Sequence, residues 1–221
     1  GDNQKAFDYS FQTLKSSQSA NNPVYQNALR TALDAAKKIS DSNSGKEELI
    51  DFIQELEEKT GKEIRMEEDA TIPTVAKVEI AENHKRDYHL IKYKKSSAVD
   101  HLILHELIHI LFYHEARQIN ENKLFTSKNG KLAEFKKQYS KEINGLIKKG
   151  YSGETISKLF EQLFHGILQQ VFNAPIDLFI EDLIYQRFPT LRPQQFLSLY
   201  KMGIEAYEAV SNTKAVDLVP S

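Results

Sequence analysis

The sequence predicts an α+β protein, predominantly helical, with a small and mostly antiparallel sheet lying ahead of its most apolar helix. Three observations carry that expectation. Apolar residues recur at helical spacing before residue 60 and after residue 97, the period shortens to two between 62 and 95, and Gly, Pro and Asn fall where the period changes. A chain of 221 residues can bury a substantial core, and it reads as one domain, 1–221. That domain has an N-terminal helical part at 1–60, the sheet at 62–95 and a second helical part at 97–211.

Residues 1 to 20 are polar and weakly patterned, which suits a frayed segment or a loosely docked helix. From Pro23 to about Ser40, Tyr25, Leu29, Leu33 and Ile39 mark one amphipathic helix, and from Ser44 to Glu58, Leu49, Phe52, Ile53 and Leu56 mark a second. After Gly61, the segments KEIRME, TVAKVEIA and DYHLIKYK alternate as strands, with Pro73 ahead of the second and ENHKRD as a turn before the third. Ser97 and Asp100 have the spacing of a capping box and start the helix HLILHELIHILFYHEAR at 101–117. Further helices are expected over Lys131 to Lys149, Gly153 to Phe172, Pro175 to Arg187 and Pro193 to Val210. They are separated at Asn129-Gly130, Lys149-Gly150, Asn173 to Pro175 and Pro189 to Pro193.

Composition narrows the function classes. A formal net charge of −2 and a pI near 6.4 give no sign of a polyanion-binding surface, so nucleic acid is not an expected partner. The longest apolar stretch is broken by His105, Glu106 and His109, short of the roughly 20 residues a membrane span needs, and no span is expected. With no cysteine, thiolate nucleophiles and thiolate metal sites are excluded, and any metal must be held by His, Asp or Glu. The opening GDNQKAFDYS, without an initiator Met, and the closing LVPS read as processed or cut ends.

The chemistry concentrates in the apolar helix. Residues four apart differ by about 40° in azimuth, so His105 and His109 project from one face with Glu106 about 100° round from His105. Two imidazoles and a carboxylate among Leu, Ile and Phe would cost several kcal/mol if buried without partners, and a divalent metal satisfies them well. The stretch HELIH resembles the HExxH signature of the zincin metallopeptidases. That resemblance implies His105 and His109 as ligands of one zinc ion and Glu106 as general base.

The third ligand fixes the subclass. The metzincin pattern is excluded, since the positions where it places Gly and a third His hold Phe112 and Glu115. His114 lies off the metal face and suits the helix end. In the gluzincin pattern a carboxylate comes from a later helix with a second acid one turn on, and NAPIDLFIEDLIYQRF offers Asp177, Glu181 and Tyr185 at four-residue spacing within apolar surroundings. The usual order, Glu then Asp, is reversed here. If order governs, Asp177 binds the metal and Glu181 supports it; if residue type governs, Glu181 binds. An acid in the first turn of a helix also suits the dipole without any metal, so Asp177 has a second explanation and Glu181 is the favoured ligand. Asp182 is expected to face solvent.

The zincin resemblance further implies a metal-activated water, hydrolysis of a peptide or protein substrate, and a donor for the oxyanion. Tyr185 is the first candidate for that donor and His165 the second, each with an ordinary packing role as the alternative. An extended substrate would lie along a sheet edge, TVAKVEIA or YHLIKYK, with His84 and His89 as surface residues of the hairpin. Two other readings stay open: a metal-binding regulatory or partner-binding protein on a zincin fold, and a helical scaffold without metal.

Overall fold

A computed structural model describes residues 2–16, 19–42, 45–122 and 130–211. The two chain ends, Ser44 and the expected break at Asn129 lie outside the described residues. Contacts divide the chain into two compact units, one of Gly1–Asn122 with Ile180–Met202 and the other of Lys123–Phe179 with Gly203–Ser221. The architecture is the expected mostly helical α+β fold.

In the first unit the N-terminal segment is an ordered helix, α1 (Asp2–Ser16), packed on α2 (Pro23–Asp41). Phe7 and the small residues Ala32, Ala35 and Ala36 let the two helices approach closely around Ile39 and Leu197. Asn22 caps α2 through the Val24 amide at 2.9 Å, and Pro23 fills the first turn, where no donor is needed. Helix α3 (Lys46–Thr60) begins at Gly45, whose φ is 101°. A Cβ there would come within 2.6 Å of the fully buried Leu191, so both the backbone and the packing require glycine.

The sheet follows, with β1 (Glu63–Glu68), β2 (Ala76–Glu79) and β3 (Tyr88–Tyr93) in the order β1-β3-β2. The pair β2 and β3 is antiparallel, with Val78 opposite Ile91, whereas β1 and β3 run parallel, with Ile64 opposite His89. The sheet is therefore mixed: β3 enters between the two earlier strands, and reversing against β2 aligns it with β1. The expected turn at ENHKRD contains a one-turn helix, α4 (Ala81–His84), closed by Lys85 at φ 54°.

Because β3 is central, two expectations change. YHLIKYK is not an edge; the edges are β1 and the β2 segment of TVAKVEIA. His84 is exposed as expected, but His89 is buried, 2% exposed, because a central strand is covered on both faces. Its Nδ1 accepts the Ala81 amide at 3.1 Å, and burial lowers its pKa.

Helix α5 (Val99–Gln118) packs on α3, β2 and β3. Leu104, Leu107, Ile108 and Ile110 are fully buried, so the helix is apolar nearly all round, as a central helix must be. The capping box expected at Ser97 does not form: Ala98 is the cap residue and contributes no side-chain bond. Gln194 supplies the cap, its Oε1 accepting the amides of Asp100 and His101 at 3.0 and 3.2 Å while its Nε2 donates to Asp100 Oδ2 at 2.9 Å. A long-range amide thus satisfies the first donors of α5.

In the second unit, the helix expected over Lys131 to Lys149 is two, α6 (Lys131–Gln138) and α7 (Ser140–Lys148), which meet at Tyr139 with φ −97° and ψ 29°. Leu146, Ile156 and Phe160 form its core, with Phe135, Tyr139 and Ile143 against them. Helix α8 (Gly153–Arg187) is continuous where two helices were expected, and carries Pro175 inside it. Proline removes one backbone donor and costs about 3 kcal/mol in a helix interior, but it does not end a helix whose apolar period continues on both sides. The boundary between the units falls within α8, after Phe179. A 3₁₀ turn at Pro189–Leu191 leads to α9 (Arg192–Ser211). No helix among the described residues is long and apolar enough to cross a membrane.

Candidate metal centre

The site is built on α5. His101, His105 and His109 follow one another at four-residue intervals along one face, and their rings form a ladder: the His101 and His105 centroids are 6.5 Å apart, those of His105 and His109 5.0 Å, both pairs edge to face. His105, Glu106 and His109 are half-buried, and His101 is buried at 1% exposure.

Glu181 on α8 is the hub of the polar network. Its Oε1 lies 2.9 Å from His105 Nδ1, its Oε2 lies 3.0 Å from His101 Nε2, and Oε2 also accepts from Gln195 Nε2 at 2.7 Å. Gln195 Nε2 reaches the Glu181 backbone carbonyl too, at 2.8 Å. Burial by itself would raise the pKa of this carboxyl, but the hydrogen bonds from His101, His105 and Gln195 outweigh it and hold Glu181 well below the ordinary carboxylate range. An ionised carboxylate with both oxygens engaged is what the three donors require.

Asp177 lies one turn before Glu181 on α8. His105 and His109 present two half-buried imidazoles on one face of α5, and Asp177 is half-buried within the second unit. Two imidazoles suit a divalent ion that accepts nitrogen ligands better than calcium or magnesium, which prefer oxygen.

The remaining candidates lie elsewhere. Tyr185, a turn beyond Glu181, accepts a 2.6 Å hydrogen bond from Lys15 Nζ, and Arg192 stacks over its ring at 4.5 Å. Its hydroxyl is thereby tied to α1. His165 is exposed beside Phe164. His114 is hydrogen-bonding distance, 3.3 Å, from Gln118 one turn on. Asp182 is exposed and accepts from Gln186 at 2.7 Å. Sequence reasoning passed over three members of the network. His101 was within reach, since it stands one turn before His105 in an apolar helix. Gln194 and Gln195 come from α9 and carry no comparable local signal.

Compared with known families, curated proteins and solved structures, the chain shows no match to any of the three. The reading of the site therefore rests on its own residues.

Proposed function

We propose that the protein is a zinc-dependent hydrolase of the gluzincin-like kind, acting on peptide bonds, with His105 and His109 holding the metal, a carboxylate of α8 as third ligand and Glu106 as general base. The observation that carries this reading is the bond from His105 Nδ1 to Glu181 Oε1 at 2.9 Å. A metal-ligating histidine characteristically donates its other ring nitrogen to a carboxylate, which fixes the tautomer and makes the remaining nitrogen a better ligand. With Nδ1 on Glu181, Nε2 is the nitrogen a metal would take.

The bonds of Glu181 bear on which of the two acids is the ligand. Both oxygens of Glu181 already accept hydrogen bonds, from His105 on one side and from His101 and Gln195 on the other. These bonds favour Glu181 as the support of a ligand and Asp177, one turn earlier on α8, as the third ligand. On this reading, order rather than residue type governs the reversed Asp-Glu pair.

A zinc ion bound there would supply an electrophile for a substrate carbonyl and a water molecule of lowered pKa. Glu106, next to His105 on α5, would take the proton of that water and pass it to the leaving amine. The β2 edge gives an extended peptide a row of backbone groups to pair with.

Zinc affinities of Asp177→Ala and Glu181→Ala, measured against a competing chelator, test the ligand assignment. Asp177→Ala is expected to lose tight binding, and Glu181→Ala to retain zinc with roughly 10–100-fold weaker affinity, the usual cost of losing an outer partner. The reverse ranking would make Glu181 the ligand. Equal affinity in wild type and both variants would remove α8 from the site.

A further inference from the structure

We infer that His101 is a positioning residue of this centre, acting on His105 through Glu181; the inference rests on the metal reading above. His101 is 1% exposed on a helix whose other buried positions are mostly aliphatic, so an aliphatic side chain would serve packing equally well. Its Nδ1 is buried with no hydrogen-bond partner, and its single side-chain hydrogen bond runs from Nε2 to Glu181 Oε2 at 3.0 Å. An imidazole kept at the expense of an unsatisfied ring nitrogen gains only that bond in return.

The bond controls a rotation. A carboxylate on a two-methylene stem turns readily about its last torsion, and a single bond to His105 would not fix its plane. His101 and Gln195 both donate to Oε2, which leaves Oε1 directed at His105 Nδ1. Because His101 Nδ1 meets no donor or acceptor, the ring carries its proton on Nε2 and donates it to Glu181. The chain of donors therefore runs from His101 to Glu181 Oε2, and from His105 to Glu181 Oε1. Removing the first leaves Oε2 to Gln195 alone, which loosens the plane of the carboxylate and with it the tautomer of His105.

The test uses His101→Leu, which keeps bulk and removes the donor, His101→Gln, whose amide nitrogen can occupy the place of Nε2, and Gln195→Met, which removes the other bond to Oε2. Two readouts are needed: zinc affinity against a chelator, and the His105 tautomer in metal-free protein from long-range ¹H–¹⁵N correlation of its ring. Wild type and His101→Gln are expected to hold His105 with its proton on Nδ1. His101→Leu is expected to give a mixture of tautomers and bind zinc roughly 10–100-fold more weakly, with Gln195→Met shifted in the same direction. Wild-type affinity and an unmixed tautomer in His101→Leu would reduce His101 to packing and overturn the inference. Should His101→Leu fail to fold, His101→Met, which also lacks a donor, takes its place, and an unchanged His105 tautomer there would overturn the inference equally. If wild type takes up no zinc while the tautomer still shifts in His101→Leu, the metal reading falls and the positioning of His105 by His101 stands.

Discussion

Glu106→Gln is expected to keep its zinc and to lose peptide hydrolysis by about two to four orders of magnitude, the range a positioned general base contributes. Glutamine preserves the size of the side chain and its half-buried place on α5, but it cannot accept a proton. His105 and His109 are untouched, and so is the bond from His105 to Glu181. Metal content and rate should therefore separate: a stoichiometric zinc protein without turnover on a mixed peptide library that wild type cleaves. A variant as fast as wild type would exclude Glu106 as the base, and one that loses zinc would mean that Glu106 takes part in holding it.

His105→Ala should have the largest effect on the metal. Structural zinc sites bind with about 10–16 kcal/mol, so one of three protein ligands carries on the order of 3–5 kcal/mol, roughly a hundred-fold or more in affinity. The substitution also strips Glu181 of one of its three side-chain donors in a mostly dry site, leaving His101 and Gln195 on one oxygen and none on the other. Metal-free His105→Ala should be less stable than metal-free wild type by about 1–3 kcal/mol, the usual cost of an unsatisfied buried group. Urea denaturation in the presence of chelator reads that term apart from the metal. Unaltered zinc affinity in His105→Ala would show that the histidine ladder is not the metal's seat.

What the sequence disclosed depended on whether the signal was local. His105, Glu106 and His109 were legible because polar groups at helical spacing stand out in an apolar run, and Asp177 and Glu181 for the same reason on a second helix. Their roles were not legible. Which partners an acid has depends on atoms from elsewhere in the chain, and for Glu181 these include His101 and Gln195, the latter on another helix. His101 carried a readable signal, one turn before the motif, but the motif itself begins at His105.

The fold divides in the same way. Alternation at 62–95 placed the strands, yet alternation does not state the order of strands in a sheet, so the burial of His89 and the parallel pairing of β1 with β3 were out of reach. Pro175 does not break α8, because a proline stops a helix only where the flanking sequence agrees. Ser97 does not cap α5, because Gln194, far along the chain, takes its place.

The most direct test of the metal centre is zinc-edge X-ray absorption on wild-type protein loaded with one equivalent of zinc at neutral pH. The account predicts stoichiometric uptake and a shell of two imidazole nitrogens with oxygen at about 2.0–2.2 Å, the second oxygen being water. Failure to take up zinc, or a shell without imidazole, would contradict it.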